Sequence, residues 1–402
     1  MRTYETTDGS ADPTLPGHPD PYPHYAQLRR EKPVHWNEAV GGWLLCHHTD
    51  AVAFLHQHGR LSRAAYIDGL TAKHGHGPIL RAQRRELAFM DPPAHHRLRH
   101  LLGKAFTPHA IESMRPHVGR IVDGLLDRVA GRDAMDVIAD LAYPLPSIVV
   151  SEMLGIPEED RARLEGWVDG LVTSRGVTRT QAMIEAGNRS TEAFTAYLHD
   201  LVPRRAASPG TDLLSTLIAA EEDGERMTQE QIVGVVQTLF AAGHATTRNV
   251  IGNGTLALLR HPDAHARLRV EPALIESAVE EMLRYDSPTQ STSPFVVMEA
   301  FEIGGQTIAA GQSVSILLGA VNRDPAQFPY AEEFDIARTP NAHLAFSTGM
   351  HVCLGASLAR MEAQIAILRL VQRMPNLSLA GGDLEWQASG RFRGLKALPV
   401  TF

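Results

Sequence analysis

Residues 229–259 carry an uninterrupted helical apolar pattern, and no other feature restricts the possible folds as much. About 30 residues at roughly 1.5 Å per residue make a helix of roughly 45 Å, long enough to cross a whole domain. Thr228, with Gln231 three residues later, is a capping-box signature for its start, and Arg260-His261-Pro262 ends it. Its middle reads Ala241-Ala242-Gly243-His244-Ala245-Thr246-Thr247, a poor mid-helix choice by propensity. A threonine hydroxyl bonding back to a carbonyl would open the helix there and leave polar groups in an apolar wall. The alternative is plain packing between helices through small residues.

Helical periodicity also marks 114–129, 181–201 and 356–374, whereas β-like runs gather at 34–45, 295–308 and 313–318 and after Leu377. The fold class expected is mainly α with a small β-rich lobe, drawn from about 30–60, 293–320 and 376–402. There is no internal repeat or low-complexity linker, and 203–210 reads as a loop, so 1–402 is expected to be a single domain with an N-terminal tail over 1–20.

With 402 residues, 44% hydrophobic and 21% charged, the chain can bury a large core. A net charge of −8 argues against general nucleic-acid affinity. Residues 1–23 are polar and proline-rich, with no apolar signal core or membrane anchor, so a cytoplasmic location and no membrane association are expected. Only two cysteines occur, which implies no disulfide framework. Cys46 closes Trp43-Leu44-Leu45-Cys46, a buried-strand pattern, and reads as structural.

Cys353 stands in different company: Phe346-Ser347-Thr348-Gly349-Met350-His351-Val352-Cys353-Leu354-Gly355, followed at once by a helical pattern. A lone cysteine is most often a small buried apolar residue. Here the helix beginning near Ala356 offers unpaired N–H groups and the positive end of its dipole, which favour a thiolate. Gly349 and Gly355 are expected to allow backbone angles and close approach that a Cβ would block.

This string resembles the haem-binding loop of the cytochrome P450 family, the haem-thiolate monooxygenases. Further strings resemble that family in order along nearly the whole chain: Met90-Asp-Pro-Pro, Phe106-Thr-Pro, Leu154-Gly-Ile-Pro, Ala242-Gly-His, Glu281-Met-Leu-Arg284 and Asn322-Arg-Asp-Pro. The resemblance implies the cytochrome P450 fold and haem b with Cys353 as the axial iron ligand. It also implies Phe346 beneath the haem and His351 facing a propionate. The segment Asp91–Arg99 resembles the one that supplies further propionate partners, here His95 and Arg99, which are four apart and share a helix face. A solvated basic face is the bland alternative, and Arg97 and His100 fit it. A third partner, usually an arginine, falls on Phe295. Ser347 replaces the usual glycine after the phenylalanine.

The Gly243–Thr246 segment resembles the oxygen-activating helix, with Thr246 matching the threonine that hydrogen-bonds bound dioxygen and steers its protons. The family usually has an acid immediately before that threonine; this chain has Ala245, which cannot relay a proton. Protons must then arrive through water, a neighbouring side chain or the substrate itself. Glu281 and Arg284, isolated, would be a surface pair of little worth. In the family the pair is buried behind the cysteine loop, and Arg338 is the candidate for its third member.

The activity implied is insertion of one oxygen atom from O2 into a small organic substrate by hydroxylation or epoxidation, with secondary-metabolite tailoring as the setting. Electrons would come from a ferredoxin and its reductase, since no Gly-x-Gly-x-x-Gly or other nucleotide loop stands out; Arg97, Lys104 and Arg360 are candidate docking cations. Pocket candidates are Met90, Leu239, Ala242, Ser291, Thr292 and Phe392, within segments 62–90, 164–188, 239–246, 290–295 and 390–394. Two other readings stay open: a haem-thiolate enzyme of oxidative coupling, desaturation or peroxide-driven oxidation, and a non-catalytic haem carrier or sensor. The His96/His100 spacing suits zinc but lacks the intervening glutamate of a metalloprotease helix.

Overall fold

The computed structural model describes residues 18–57, 59–174, 180–222, 225–387 and 391–402. Most of the expected tail, residues 175–179 of one expected pocket segment and Gly390 of another lie outside these. The chain divides into two compact units: 1–61 with 116–145 and 246–402, and 62–115 with 146–245.

The second unit is helical. Its frame is the pair Arg161–Thr173 and Gln181–Ala207. The indole of Trp167 stacks on Phe194, with ring centroids 5.9 Å apart. Gly187 lets the longer helix approach Ser174, whose side chain a Cβ at 187 would strike. Thr180 caps this helix by accepting from the Met183 N–H. The helix Ala94–Ala105 starts beside Asp91, whose carboxylate accepts from the Ser62 hydroxyl (2.5 Å) and the Arg63 N–H (2.8 Å).

The first unit holds the β lobe. Val34–Asn37 pairs antiparallel with Gly42–Leu45, which runs parallel to Ser313–Ile316, and that strand pairs antiparallel with Phe295–Val297. Their inward residues join Phe54, Phe301 and Ile308 in one buried cluster. Cys46, directly after the second strand, is fully buried. Its thiol is pushed up to about 12 by burial, against the opposing pull of Arg29. In the same unit Gly254 lies against Met282 and Ile367, where a Cβ would meet the Met282 sulfur at 2.6 Å. A larger residue there would have to push the Met282 and Ile367 side chains aside.

The long helix spans Gln229–Arg260, 32 residues. Its start is a reciprocal capping box: the Thr228 N–H donates to Gln231 Oε1 (2.9 Å) and the Gln231 N–H donates to Thr228 Oγ1 (3.2 Å). The expectation that threonines break its middle needs correction, because residues 241–247 stay helical without interruption. Back-bonding hydroxyls do occur, from Thr238 to the Gly234 carbonyl (2.7 Å) and from Thr255 to the Ile251 carbonyl (2.8 Å), and the helix absorbs both. No described helix is long and apolar enough to cross a membrane.

Candidate active site

Cys353 is exposed and sits three positions before Ala356, the first residue of the helix Ala356–Arg373. Its N–H donates to the Phe346 carbonyl at 2.9 Å, which closes the loop on itself. The backbone demands of this loop fall on Gly349, as expected, and on Ser347 instead of Gly355. Ser347 holds φ +60° and Gly349 φ +71°, while Gly355 has φ −85°. A Cβ at Gly349 would lie 3.0 Å from the Leu55 carbonyl oxygen, whereas one at Gly355 would meet no atom within 4 Å. Gly349 is therefore required twice over, and Gly355 is not required by the chain. Ser347 carries the strained position that a glycine would fill without cost.

The loop rests on a layer of charge. Arg360 forks onto Glu280, with Nε donating to Oε1 (2.7 Å) and Nη2 to Oε2 (2.8 Å), and its guanidinium carbon lies 4.5 Å from the Phe346 ring centre. Arg360, expected from the sequence as a docking cation, is thus engaged by Glu280, with its side chain 34% exposed. Burial works to raise the Glu280 carboxyl, but hydrogen bonds from His343 and Arg360 outweigh it and hold the group at about 2. Glu281, the next residue, is fully buried and receives Arg284 Nε (2.7 Å) and Nη2 (2.9 Å). Arg338 Nε joins it at 3.1 and 3.2 Å, and the Asp335 N–H and Asn341 amide add to the same carboxylate. Arg284 also donates to the carbonyls of Asn322, Ala331 and Glu333. The three residues expected to form this network are thus brought together.

Phe295 is 3% exposed and belongs to the β-lobe core, edge-on to Phe54 (5.5 Å) and to His351 (5.8 Å). It fills its slot with a ring and supplies no charge. In the second unit His95 is fully buried, and burial together with the nearby charge of Arg99 pushes it down to about 4. His95 and Arg99 sit four apart on the helix Ala94–Ala105 and so share a face, as their spacing requires.

On the long helix Leu239, Gly243 and Thr246 are half-buried and Ala242 is exposed, whereas Ala241, His244, Ala245 and Thr247 are buried. Positions 239, 242, 243 and 246 form one stripe at helical spacing, accessible in the middle of the element, with Thr246 its hydroxyl. Ala245, 3% exposed, is turned away from it. Met90 and Phe392 are half-buried. Ser291 is buried, and so is Thr292, which is committed to the strand beside it: its N–H donates to the Ile316 carbonyl and its Oγ1 accepts the Ile316 N–H, both at 3.0 Å. Arg391, beside Phe392, donates to the Ser293 hydroxyl at 2.8 Å.

Sequence reasoning missed Glu280 and His343; paired acids at 280–281 were the available signal. It also missed Arg393, which donates to Asp286 (2.7 Å) and to the carbonyls of His18 and Pro19 (both 2.8 Å), and so ties the start of the described chain to its end.

The sequence profile of the cytochrome P450 family matches residues 43–376. A biotin biosynthesis cytochrome P450 of Bacillus subtilis is 40% identical over 385 residues, 95% of this chain and 96% of that protein. The cytochrome P450 monooxygenase PikC of Streptomyces venezuelae is 40% identical over 398 residues, 95% of this chain and 91% of that protein. Among solved structures, P450BioI in complex with an acyl carrier protein ligated to hexadec-9Z-enoic acid superposes with TM-score 0.90 at 40% identity, covering 95% of this chain and 98% of that one. The chain belongs to the cytochrome P450 family and has its fold. It is a monooxygenase of that haem-thiolate class.

The chain's own donors suit such a cofactor. Within the first unit, Cys353 stands exposed ahead of a helix N-terminus, and Gly355 leaves open space beside it.

Proposed function

We propose that the bound group is haem b, with the Cys353 thiolate as iron ligand, Phe346 packed beneath it, and His95, Arg99 and His351 holding its propionates. The accessible Cys353 in a loop closed by its own N–H carries this reading. When bound, the haem supplies reductive activation of dioxygen and transfer of one oxygen atom into a C–H or C=C bond. Gly349 fixes the turn, and the Glu281–Arg284–Arg338 network holds the support behind it. The stripe of Leu239, Ala242 and Gly243 gives the substrate a close apolar wall, and Thr246 Oγ1 steers protons.

The substrate class is a small organic secondary metabolite. Support comes from a relative named for polyketide biosynthesis, PksS of Bacillus subtilis, 34% identical over 399 residues. Electrons come from a ferredoxin and its reductase. Turnover of a polyketide-type substrate panel with such a pair, compared with hydrogen peroxide, tests this. Product only with the electron pair supports the monooxygenase cycle. Product only with peroxide favours the second reading, peroxide-driven oxidation, which rests on Ala245 being apolar and buried.

A further inference from the structure

Phe346 is held from two sides by groups that share one carboxylate. Arg360 stands over its ring, and His343 lies tilted against it at 6.2 Å. Arg360 is fixed in place by the two-pronged fork onto Glu280. His343 Nε2 lies 3.2 Å from Glu280 Oε2, while its Nδ1 accepts the Ala345 N–H at 3.2 Å. With Nδ1 accepting, the ring proton must sit on Nε2 and be donated to Glu280. Phe346 in turn offers its carbonyl to the Cys353 N–H. A chain of contacts therefore runs from Glu280 through Arg360 and His343 to the Phe346 ring, and through its backbone to the cysteine.

We infer that Glu280 is a positioning residue for the Cys353 thiolate, acting through Arg360 and His343 on Phe346. The inference rests on the haem-thiolate reading above. The fork has two separable consequences. Its geometry fixes the ring and hence the carbonyl that accepts from Cys353. Its charge balance leaves the loop support neutral, because the guanidinium and carboxylate cancel. A lysine at 360 keeps the charge but has neither a planar fork nor a flat face to stack on the ring. Glutamine at 280 keeps the shape but leaves the guanidinium uncompensated.

The test uses the haem-loaded wild type, Arg360→Lys, Glu280→Gln and Arg360→Gln. Three properties are read in each: the reduced carbon monoxide band of thiolate-ligated haem and its rate of loss on warming, the reduction potential, and the global unfolding temperature. Arg360→Lys is expected to lose the thiolate band several-fold faster than wild type, with potential and unfolding temperature unchanged. Glu280→Gln is expected to lose it as fast and to shift the potential upward, since an added positive field favours the reduced iron. Arg360→Gln is expected to shift the potential downward. Retention of the band at the wild-type rate in both Arg360→Lys and Glu280→Gln would overturn the inference, as would loss that only tracks global unfolding. A wild type with no thiolate band would overturn the underlying reading instead, so the two failures are distinguishable.

Discussion

The cysteine loop separates residues that look equivalent in sequence. Ser347 and Gly349 both have positive φ, so Ser347→Gly is expected to raise unfolding stability by about 1 kcal/mol in urea titration. Gly349→Ala should lower it by at least a comparable amount, because the added methyl also presses on the Leu55 carbonyl. Gly355→Ala should be close to neutral, since its φ is ordinary and its surroundings are open. Equal costs at 349 and 355 would contradict this assignment. The family resemblance of the cysteine string was legible because its residues keep a fixed spacing. Which position bears the strain was not, because φ follows from the path of the chain and not from residue type alone.

Glu362 presents a second residue-scale test. It is 2% exposed, its Oε2 has no hydrogen-bond partner among the described residues, and burial pushes its carboxyl up from 4.5 to about 8. Below pH 4.5 the group is protonated both folded and unfolded, and its contribution is fully present. Between 4.5 and about 8 the unfolded chain releases a proton that the folded chain keeps, so stability falls as pH rises. Glu362→Gln is therefore expected to flatten the decline of stability across that window, as read by urea midpoints at several pH values. A wild type whose stability rises there, with the variant unchanged, would contradict the assignment.

At the scale of elements, Arg284 joins the helix Ile275–Tyr285 to the carbonyls of the meander at 322, 331 and 333. Removing one partner of a fully buried pair leaves an uncompensated charge. Arg284→Met is therefore expected to cost about 3–5 kcal/mol. Arg338→Met, at a side chain 11% exposed to water, should cost less. Denaturation of the two variants side by side checks the order, and a larger loss at 338 would contradict it. The long helix was legible almost to its ends, because its capping box and its stop are local signals. Its unbroken middle was not, because whether a threonine back-bond opens a helix depends on what packs around it. The Glu280–His343–Arg360 layer was invisible for a related reason: His343 and Arg360 lie 63 and 80 positions from Glu280 in sequence.

For the molecule as a whole, the fold and the kind of chemistry were readable because the cysteine string and the long helix are each specific, and the family strings recur in order along nearly the whole chain. The distal side was less so. Ala245 stands buried, off the accessible stripe on which Thr246 lies. Under the proposed function, protons must then come from a group other than the side chain at 245. Ala245→Glu is expected to change the fraction of consumed electrons that reaches product, measured against peroxide release during turnover. Unmoved product yield and peroxide release would show that proton delivery does not depend on this position.

The proposed function depends on a sulfur–iron bond at Cys353. The direct measurement is the reduced carbon monoxide difference spectrum of the haem-loaded protein beside its Cys353→Ser variant. The wild type is expected to show the red-shifted band of thiolate-ligated haem, and the variant to lose it entirely. A variant that keeps the band would contradict the central claim.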